Sequence, residues 1–368
     1  MSFSSNLAAG AGARNAEERN KKMASVHHHF QALLKNVNPQ DTRASLASSL
    51  PNDVRAWLKE HEFATAAPHT RLSGSYARDT AIGTIKDVDV LLFLTKEQLD
   101  RTPNAVLLDL KKVLDEYPDA ALEASGQRRS IHLEFPQHDL HLDIVPVVAE
   151  NGSGRALKVP DRSRQEWIDS DPLGYAASLT TLNQKHGQKV IPLIKLVKAW
   201  RDEQMITRRP KSYVLEVMVY HAVNDTGISL IGNSPAQNFA DFVAYVTTRY
   251  QDLMDDGHEA PRICDPQTGA RISAGWERPH FETFMRRARE ADTAAQKALA
   301  AETIEDAIRE WKLIFGSFWP IEDQVKSAAR AEASSVIPGV TGIAAAGFAV
   351  GTMARSIGTR PTTYHGDR

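Results

Sequence analysis

Hydrophobic and polar positions along this chain change rhythm twice. From Met23 to about His61 apolar residues recur at helical spacing, punctuated by Pro39 and Pro51, and Pro51-Asn52-Asp53 reads as a helix entry leading into Trp57 and Leu58. A strand-rich stretch follows. It holds a short segment from Thr70 to Ser73, a continuous apolar run from Val88 to Leu94, an alternating segment from Ser130 to Phe135, and another strand-like run from Leu140 to Val148. Between these, Pro103 to Tyr117 places Val106, Leu107, Leu110, Val113 and Leu114 on one stripe and predicts an amphipathic helix. After Pro160 the rhythm turns helical. Lys189 to Gln204 carries Ile191, Ile194, Leu196, Val197 and Trp200, and further helices are predicted over Tyr213 to Val223, Ala236 to Met254, Pro279 to Ala300 and Ile304 to Phe315. The pattern predicts an α+β chain, a mixed sheet with flanking helices followed by a helical domain, with the change near residues 165–175.

The two ends depart from this texture. Residues 1–22 are small and polar, then charged, which predicts a disordered segment without an apolar signal core. Val336 to Met353 is apolar, rich in Gly and Ala, and broken by Pro338. A membrane span needs about 20 apolar residues and Gly/Ala-rich segments insert weakly, so a flexible or partner-binding tail is expected and no membrane span. His27-His28-His29 lies in a helical pattern beside Phe30, Leu33 and Leu34 and reads as helix surface rather than a metal tract.

Composition narrows the class. With 368 residues, 42% hydrophobic and 24% charged, the chain is long enough for two domains and too apolar for wholesale disorder. Its net charge of −2 disfavours constitutive binding of duplex DNA, which calls for a basic excess. Local basic patches stand at Arg208-Arg209-Pro210-Lys211 and Arg286-Arg287-Ala288-Arg289. The single cysteine, Cys264, excludes an intramolecular disulfide framework and any zinc ribbon built on several cysteines, and fits a cytoplasmic protein.

The candidate chemistry sits on the strands. A Gly-Ser turn, Gly74-Ser75, can bring backbone N–H groups and a hydroxyl against phosphate oxygens. Asp87 and Asp89 lie two apart on a strand and so project to one face. Two adjacent carboxylates repel one another unless a divalent cation lies between them. Asp143, an acid embedded among Leu142, Ile144 and Val145, is the candidate third carboxylate, and His141 shares its face. Gly-Ser alone and Asp-x-Asp alone are weak signals; the ordered set is much stronger.

That ordered set resembles the polymerase-β-like nucleotidyltransferase superfamily, and the eleven residues between Ser75 and Asp87 fit its spacing. Within it, Gly74 to Ile82 followed by Lys86 to Val90 is similar to the bacterial cyclic-oligonucleotide synthases, the cGAS/DncV-like nucleotidyltransferases or CD-NTases. Pro210 to Glu216 matches too, and Ile263 to Pro266 with Gly275-Trp276 is similar to a late Asp-Pro element of the family. The resemblance covers roughly residues 50–320. It implies a nucleotidyltransferase core over residues 23–168 with N-terminal helices, a helical-bundle domain over 169–325, and a Gly/Ala-rich tail over 326–368. It further implies that Asp87, Asp89 and Asp143 hold two Mg²⁺ ions, with Mn²⁺ as the alternative, and that Asp143 helps to activate the acceptor hydroxyl. Gly74 and Ser75 would cradle the donor triphosphate; Lys195, Lys198 and Ser212 would reach the phosphates; Tyr213 would stack on the donor base. Without the resemblance, Lys195 and Lys198 read as a solvated helix face, and Tyr213 reads equally as core.

The function expected is the joining of NTPs into a cyclic di- or trinucleotide second messenger in antiphage defence, with a regulatory or defence-system protein engaged through the tail. The rivals are an RNA or tRNA 3′-end nucleotidyltransferase, a protein AMP-transferase, and a non-catalytic nucleotide-binding scaffold. The near-neutral charge weighs against the first, the long helical domain against the second, and the three intact acidic positions against the third.

Overall fold

Among the described residues seven strands form one mixed sheet: β1 (Thr65–Ser73), β2 (Asp87–Leu94), β3 (Ala121–Leu122), β4 (Ile131–Phe135), β5 (Leu140–Val148), β6 (Leu157–Asp161) and β7 (Glu166–Ser170). The computed structural model describes residues 24–335, except 40–43, 62, 84–86, 119, 123–126, 153, 155, 226–227 and 256–258. The order across the sheet is β1-β2-β5-β4-β3, with β6 pairing β5 and β7. Only β2 and β5 run parallel among these pairs; the others are antiparallel.

Alternation decides what each face of the sheet does. Ile131, Leu133 and Phe135 of β4, Leu140, Leu142 and Ile144 of β5, and Val88, Val90 and Leu92 of β2 face one core. Helix α2 (Ala44–Glu60) and helix α4 (Pro103–Leu114) close that core with Val54, Leu58, Val106, Leu107 and Leu110. On the opposite face the same strands present His132, Glu134, His141, Asp143, Asp87 and Asp89, none of them fully buried. Farther along, this second face also turns apolar: Leu91, Phe93 and Val147 pack with Leu157 and Val159. The continuous apolar run in β2 is thus a strand covered on both faces at its far end and open to chemistry at its start.

The helical half is built from α5 (Pro172–Lys185), α6 (Val190–Gln204), α7 (Ser212–Asn224), α8 (Pro235–Arg249), α9 (Gln251–Asp255), α10 (Arg278–Ala300) and α11 (Ile304–Phe315). Trp200, Phe239, Phe284, Trp311 and Phe315 lie at its centre, largely edge-to-face. Two expectations about domain limits change. The first helix, α1 (residues 24–37), packs with this half and not with the sheet: Phe30, Leu33, Leu34 and Val37 form a helical stripe, and Phe30 meets the Trp311 ring edge-on at 4.9 Å. The anticipated change at 168/169 falls inside β7; the sheet runs to Ser170, and Asp171 then starts α5 by accepting the Gly174 N–H at 2.8 Å.

The end of the described chain also differs from expectation. Helix α12 (Glu322–Ser335) continues well past residue 326. The histidine tract is half-buried against this region rather than free helix surface: His29 stacks on Trp319 at 5.6 Å and His28 bonds Glu332 at 3.0 Å. The disordered segment expected over residues 1–22 and the apolar stretch from Val336 to Met353 lie outside the described residues. Among the described residues no helix is long and apolar enough to cross a membrane.

Candidate active site

Strand register assembles the carboxylates. In the β2–β5 pair Asp89 stands beside Asp143 and Asp87 beside His141. In the β1–β2 pair Ser73 stands beside Asp89, so the chain leaves β1 at Gly74 directly against that carboxylate. On the other side, β4 sets His132 beside Asp143 and Glu134 beside His141. Two rungs therefore cross the sheet: Ser73, Asp89, Asp143 and His132 on one, and Asp87, His141 and Glu134 on the next. All share a face because each strand contributes residues two apart.

Gly74 is required twice over. Its φ of +68° lies in the left-handed region, and a Cβ placed there would overlap the Asp89 carboxylate. The turn after it, α3 (Gly74–Ala77), folds back so that the Ser75 carbonyl accepts the N–H groups of Thr80 at 2.9 Å and Ala81 at 3.1 Å.

Burial and like charge act together on the carboxylates. Burial, and after it the charge of Asp143, push the Asp89 carboxyl up to about 6. Asp143 accepts from His132 Nδ1 at 2.9 Å, and the more exposed Asp87 accepts from His141 Nδ1 at 3.1 Å. Three carboxylates stand at neighbouring register positions on this face, one of them held above its ordinary ionisation range. Such a donor set fits a divalent cation such as Mg²⁺.

The residues after the Gly-Ser turn tie this edge of the sheet to the helices. Arg78 Nε donates to Glu216 Oε2 at 3.0 Å, and its guanidinium lies 5.3 Å from the Tyr175 ring centroid and 5.5 Å from that of Tyr213. Thr80 donates to Glu216 Oε1 at 2.9 Å. Lys198 Nζ donates to the Thr80 carbonyl at 2.8 Å and to Glu216 Oε1 at 2.6 Å; Lys195 Nζ donates to Asp79 at 2.8 Å and to Asn38 at 2.9 Å. Glu216 is buried to 1% exposure. Burial alone would raise its carboxyl, but Arg78 and Lys198 hold it below the usual range.

Placement of the predicted site residues divides cleanly. Gly74, Asp87, Asp89 and Asp143 come together, with Ser75 next to them. Lys195 and Lys198 are not a solvated face: both are buried, and each holds a residue of the loop that follows the Gly-Ser turn. Ser212 opens α7 and accepts from Arg201 Nη1 at 3.1 Å. Tyr213 is half-buried, and its hydroxyl donates to Asp265 at 2.5 Å. Arg78, Thr80, Glu216 and Asp265 lie in the segments that carry the family resemblance but were given no role of their own, and His132 was not named as a site residue. The signal for His132 was available, since alternation over Ile131 to Phe135 puts it on the polar face with Glu134.

Residues 23–183 match the family model described as a Second Messenger Oligonucleotide or Dinucleotide Synthetase domain. A cyclic AMP-AMP-AMP synthase of Acinetobacter sp. is 28% identical over 339 residues, covering 88% of this chain and 94% of that protein. Among solved structures, E. coli MS115-1 CdnC with ATP has 17% identity and a TM-score of 0.62, covering 80% of this chain and 99% of that one; the same protein is also solved as a complex with HORMA-deltaN. Bradyrhizobium diazoefficiens CdnG in complex with GTP has 18% identity and a TM-score of 0.61, covering 82% and 96%. These structural likenesses bear on the fold.

Proposed function

The chain belongs to the bacterial CD-NTases, and from that premise we propose that it is a nucleotidyltransferase joining NTPs into a cyclic trinucleotide second messenger, with ATP among its substrates. The observation that carries this reading is the rung on which Asp89, raised to about 6, stands beside Asp143 with the turn at Gly74 laid against it. The adenine and trinucleotide parts of the proposal rest on likeness to the Acinetobacter cyclic AMP-AMP-AMP synthase along most of both chains.

Asp87, Asp89 and Asp143 would hold the divalent ions, two Mg²⁺ or in their place Mn²⁺. Bound there, such ions neutralise phosphate charge and lower the pKa of an attacking hydroxyl. Asp143, bonded by His132, would receive the acceptor hydroxyl's proton. Gly74 and Ser75 bind the donor triphosphate through backbone and hydroxyl donors, and Ser212 adds a further polar contact. Tyr213, fixed by Asp265, offers a π face to the donor base, an interaction indifferent to exact base identity. Lys195 and Lys198 act one step back, holding Asp79 and Thr80 so that the Gly-Ser turn keeps its place. We place this activity in the cytoplasm and in antiphage signalling, the setting of the family. A regulatory protein acting through the tail is part of the same proposal; among the structural neighbours, CdnC is solved in a complex with the protein HORMA-deltaN.

The test is direct. Purified protein is incubated with labelled NTPs and Mg²⁺, without nucleic acid, and the products are treated with phosphatase. Resistant small products whose formation disappears in an Asp87→Ala, Asp89→Ala double variant are expected. Label appearing in RNA or protein, or product surviving in the double variant, would overturn the reading.

A further inference from the structure

Beside the catalytic carboxylates the sheet carries a second set of donors of different chemistry. His132, Glu134 and His141 each offer one ligand atom, and these atoms lie within 4.8 Å of one another. All three stand on the polar face of β4 and β5, and register makes Glu134 the direct neighbour of His141 and His132 the neighbour of Asp143. The two imidazole centroids are 4.8 Å apart, and His132 Nε2 lies 3.8 Å from Glu134 Oε1. The side chains are 11%, 40% and 29% exposed, so an ion from solvent can reach them.

The tautomers favour ligation. A carboxylate only accepts, so the Nδ1 atoms of His132 and His141 that face Asp143 and Asp87 are the N–H bearing nitrogens. In a neutral imidazole the other nitrogen, Nε2, then keeps its lone pair. Metal-binding histidines characteristically give their second ring N–H to a carboxylate, which fixes both tautomer and ring orientation. Here that support is already in place for both rings. Two imidazoles and one carboxylate select a first-row transition ion and not Mg²⁺, which prefers oxygen throughout.

We propose that His132, Glu134 and His141 form a binding site for a divalent transition-metal ion of the Zn²⁺ class, separate in its ligands from Asp87, Asp89 and Asp143. The ion and the catalytic carboxylates would share the same two imidazoles, one through Nε2 and the other through Nδ1.

Chelator-stripped full-length protein, kept in saturating Mg²⁺ to fill the oxygen site, is titrated with Zn²⁺ by calorimetry and with Co²⁺ by visible absorption. One equivalent of Zn²⁺ that excess Mg²⁺ does not displace is expected, together with Co²⁺ bands typical of nitrogen ligation. Glu134→Gln should weaken binding by about tenfold or more, a His132→Ala, His141→Ala double variant should abolish it, and Asp89→Asn should retain it. Zn²⁺ affinity unchanged in Glu134→Gln, or lost in Asp89→Asn, or removed by Mg²⁺, overturns the proposal. Glu134 is the most exposed of the three, so its variant carries the test even where the double variant fails to fold.

Discussion

Two groups of charged side chains sit one loop apart in this molecule and have opposite balances. Around Glu216, one carboxylate meets Arg78, Lys198 and the Thr80 hydroxyl, and its carboxyl is held below the usual range despite burial. Around Asp89, three carboxylates meet two histidines, the charge of Arg78 offsets burial and the Asp143 charge only in part, and the carboxyl is pushed up to about 6. Burial opposes both charges. The difference is that two bonded cations outweigh burial at Glu216, whereas the charge of Asp143 adds to burial at Asp89. A charge deficit of this kind marks a functional site more sharply than burial alone does.

The largest effect should come from emptying the deficient group. Asp89→Asn combined with Asp143→Asn removes two of the three proposed ion ligands, and product formation should drop at least about a thousandfold, equivalent to about 4 kcal/mol of barrier. The fold should not suffer, because two repelling carboxylates become neutral. Thermal melting with and without Mg²⁺ checks this: wild-type protein should be stabilised by the ion, and the double variant should melt at least as high as chelated wild type while ignoring Mg²⁺. A variant that loses folding along with activity would erase the distinction between the two groups.

The complete group should respond in the opposite way. Glu216→Gln leaves Arg78 and Lys198 buried without their counter-charge, and removing one partner of a buried pair costs about 3–5 kcal/mol. Denaturant unfolding should show that loss, with activity falling only as far as the folded population and the position of the loop at Thr80 require. A loss under 1 kcal/mol would mean that water or rearrangement already screens these charges.

These two groups were not equally legible in the sequence. Asp87, Asp89 and Asp143 could be found because strand periodicity fixes which side chains share a face, and acids among Val, Leu and Ile stand out. Periodicity also foretold the helix over Ile304–Phe315 to the residue. Glu216 and Arg78 could not be paired that way: they are 138 positions apart, on different halves, and nothing local says that they meet. For the same reason Lys195 and Lys198, four and seven positions after Ile191 on α6, read as solvent-facing or phosphate-facing until the loop at Asp79 and Thr80 was seen to cover them. The placement of α1 escaped notice because its apolar stripe fits either core equally well; only the three-dimensional arrangement shows that the sheet face is already covered by α2 and α4.

Gly74 sharpens the comparison from the covalent side, at smaller cost. Gly74→Ala must hold a Cβ at φ +68° and against the Asp89 carboxylate. A non-glycine residue strained in this region costs about 1–3 kcal/mol. Relief of the overlap requires Asp89 to move, so activity should fall by more than the stability loss explains, measurable as reduced product formation at a temperature where the variant is fully folded. Asp79, also at positive φ but bound to Lys195 and clear of the carboxylates, is the control: Asp79→Gly should change activity less.

The smallest effect concerns a second buried acid, Asp161, which follows the pattern of Glu216 at the end of β6. It is fully buried at the end of β6, which by itself would raise its carboxyl. Hydrogen bonds from Arg128 at 2.7 Å, from the Ser163 hydroxyl at 2.8 Å and from Arg129 at 3.1 Å hold it well below the carboxylate range instead. A carboxyl lowered on folding stabilises the native state in full above its unfolded value, about 4, and loses that contribution as pH falls through the lower native value. Tm measured in steps from pH 6 downwards should therefore fall more steeply below about pH 4 in wild-type protein than in Asp161→Asn, which starts lower but has nothing left to protonate at this position. Parallel profiles would show that Arg128 and Arg129, each nearly half exposed, contribute too little in water to hold the carboxyl down, and would confine the complete-group behaviour to Glu216, where the arginine partner is buried as well.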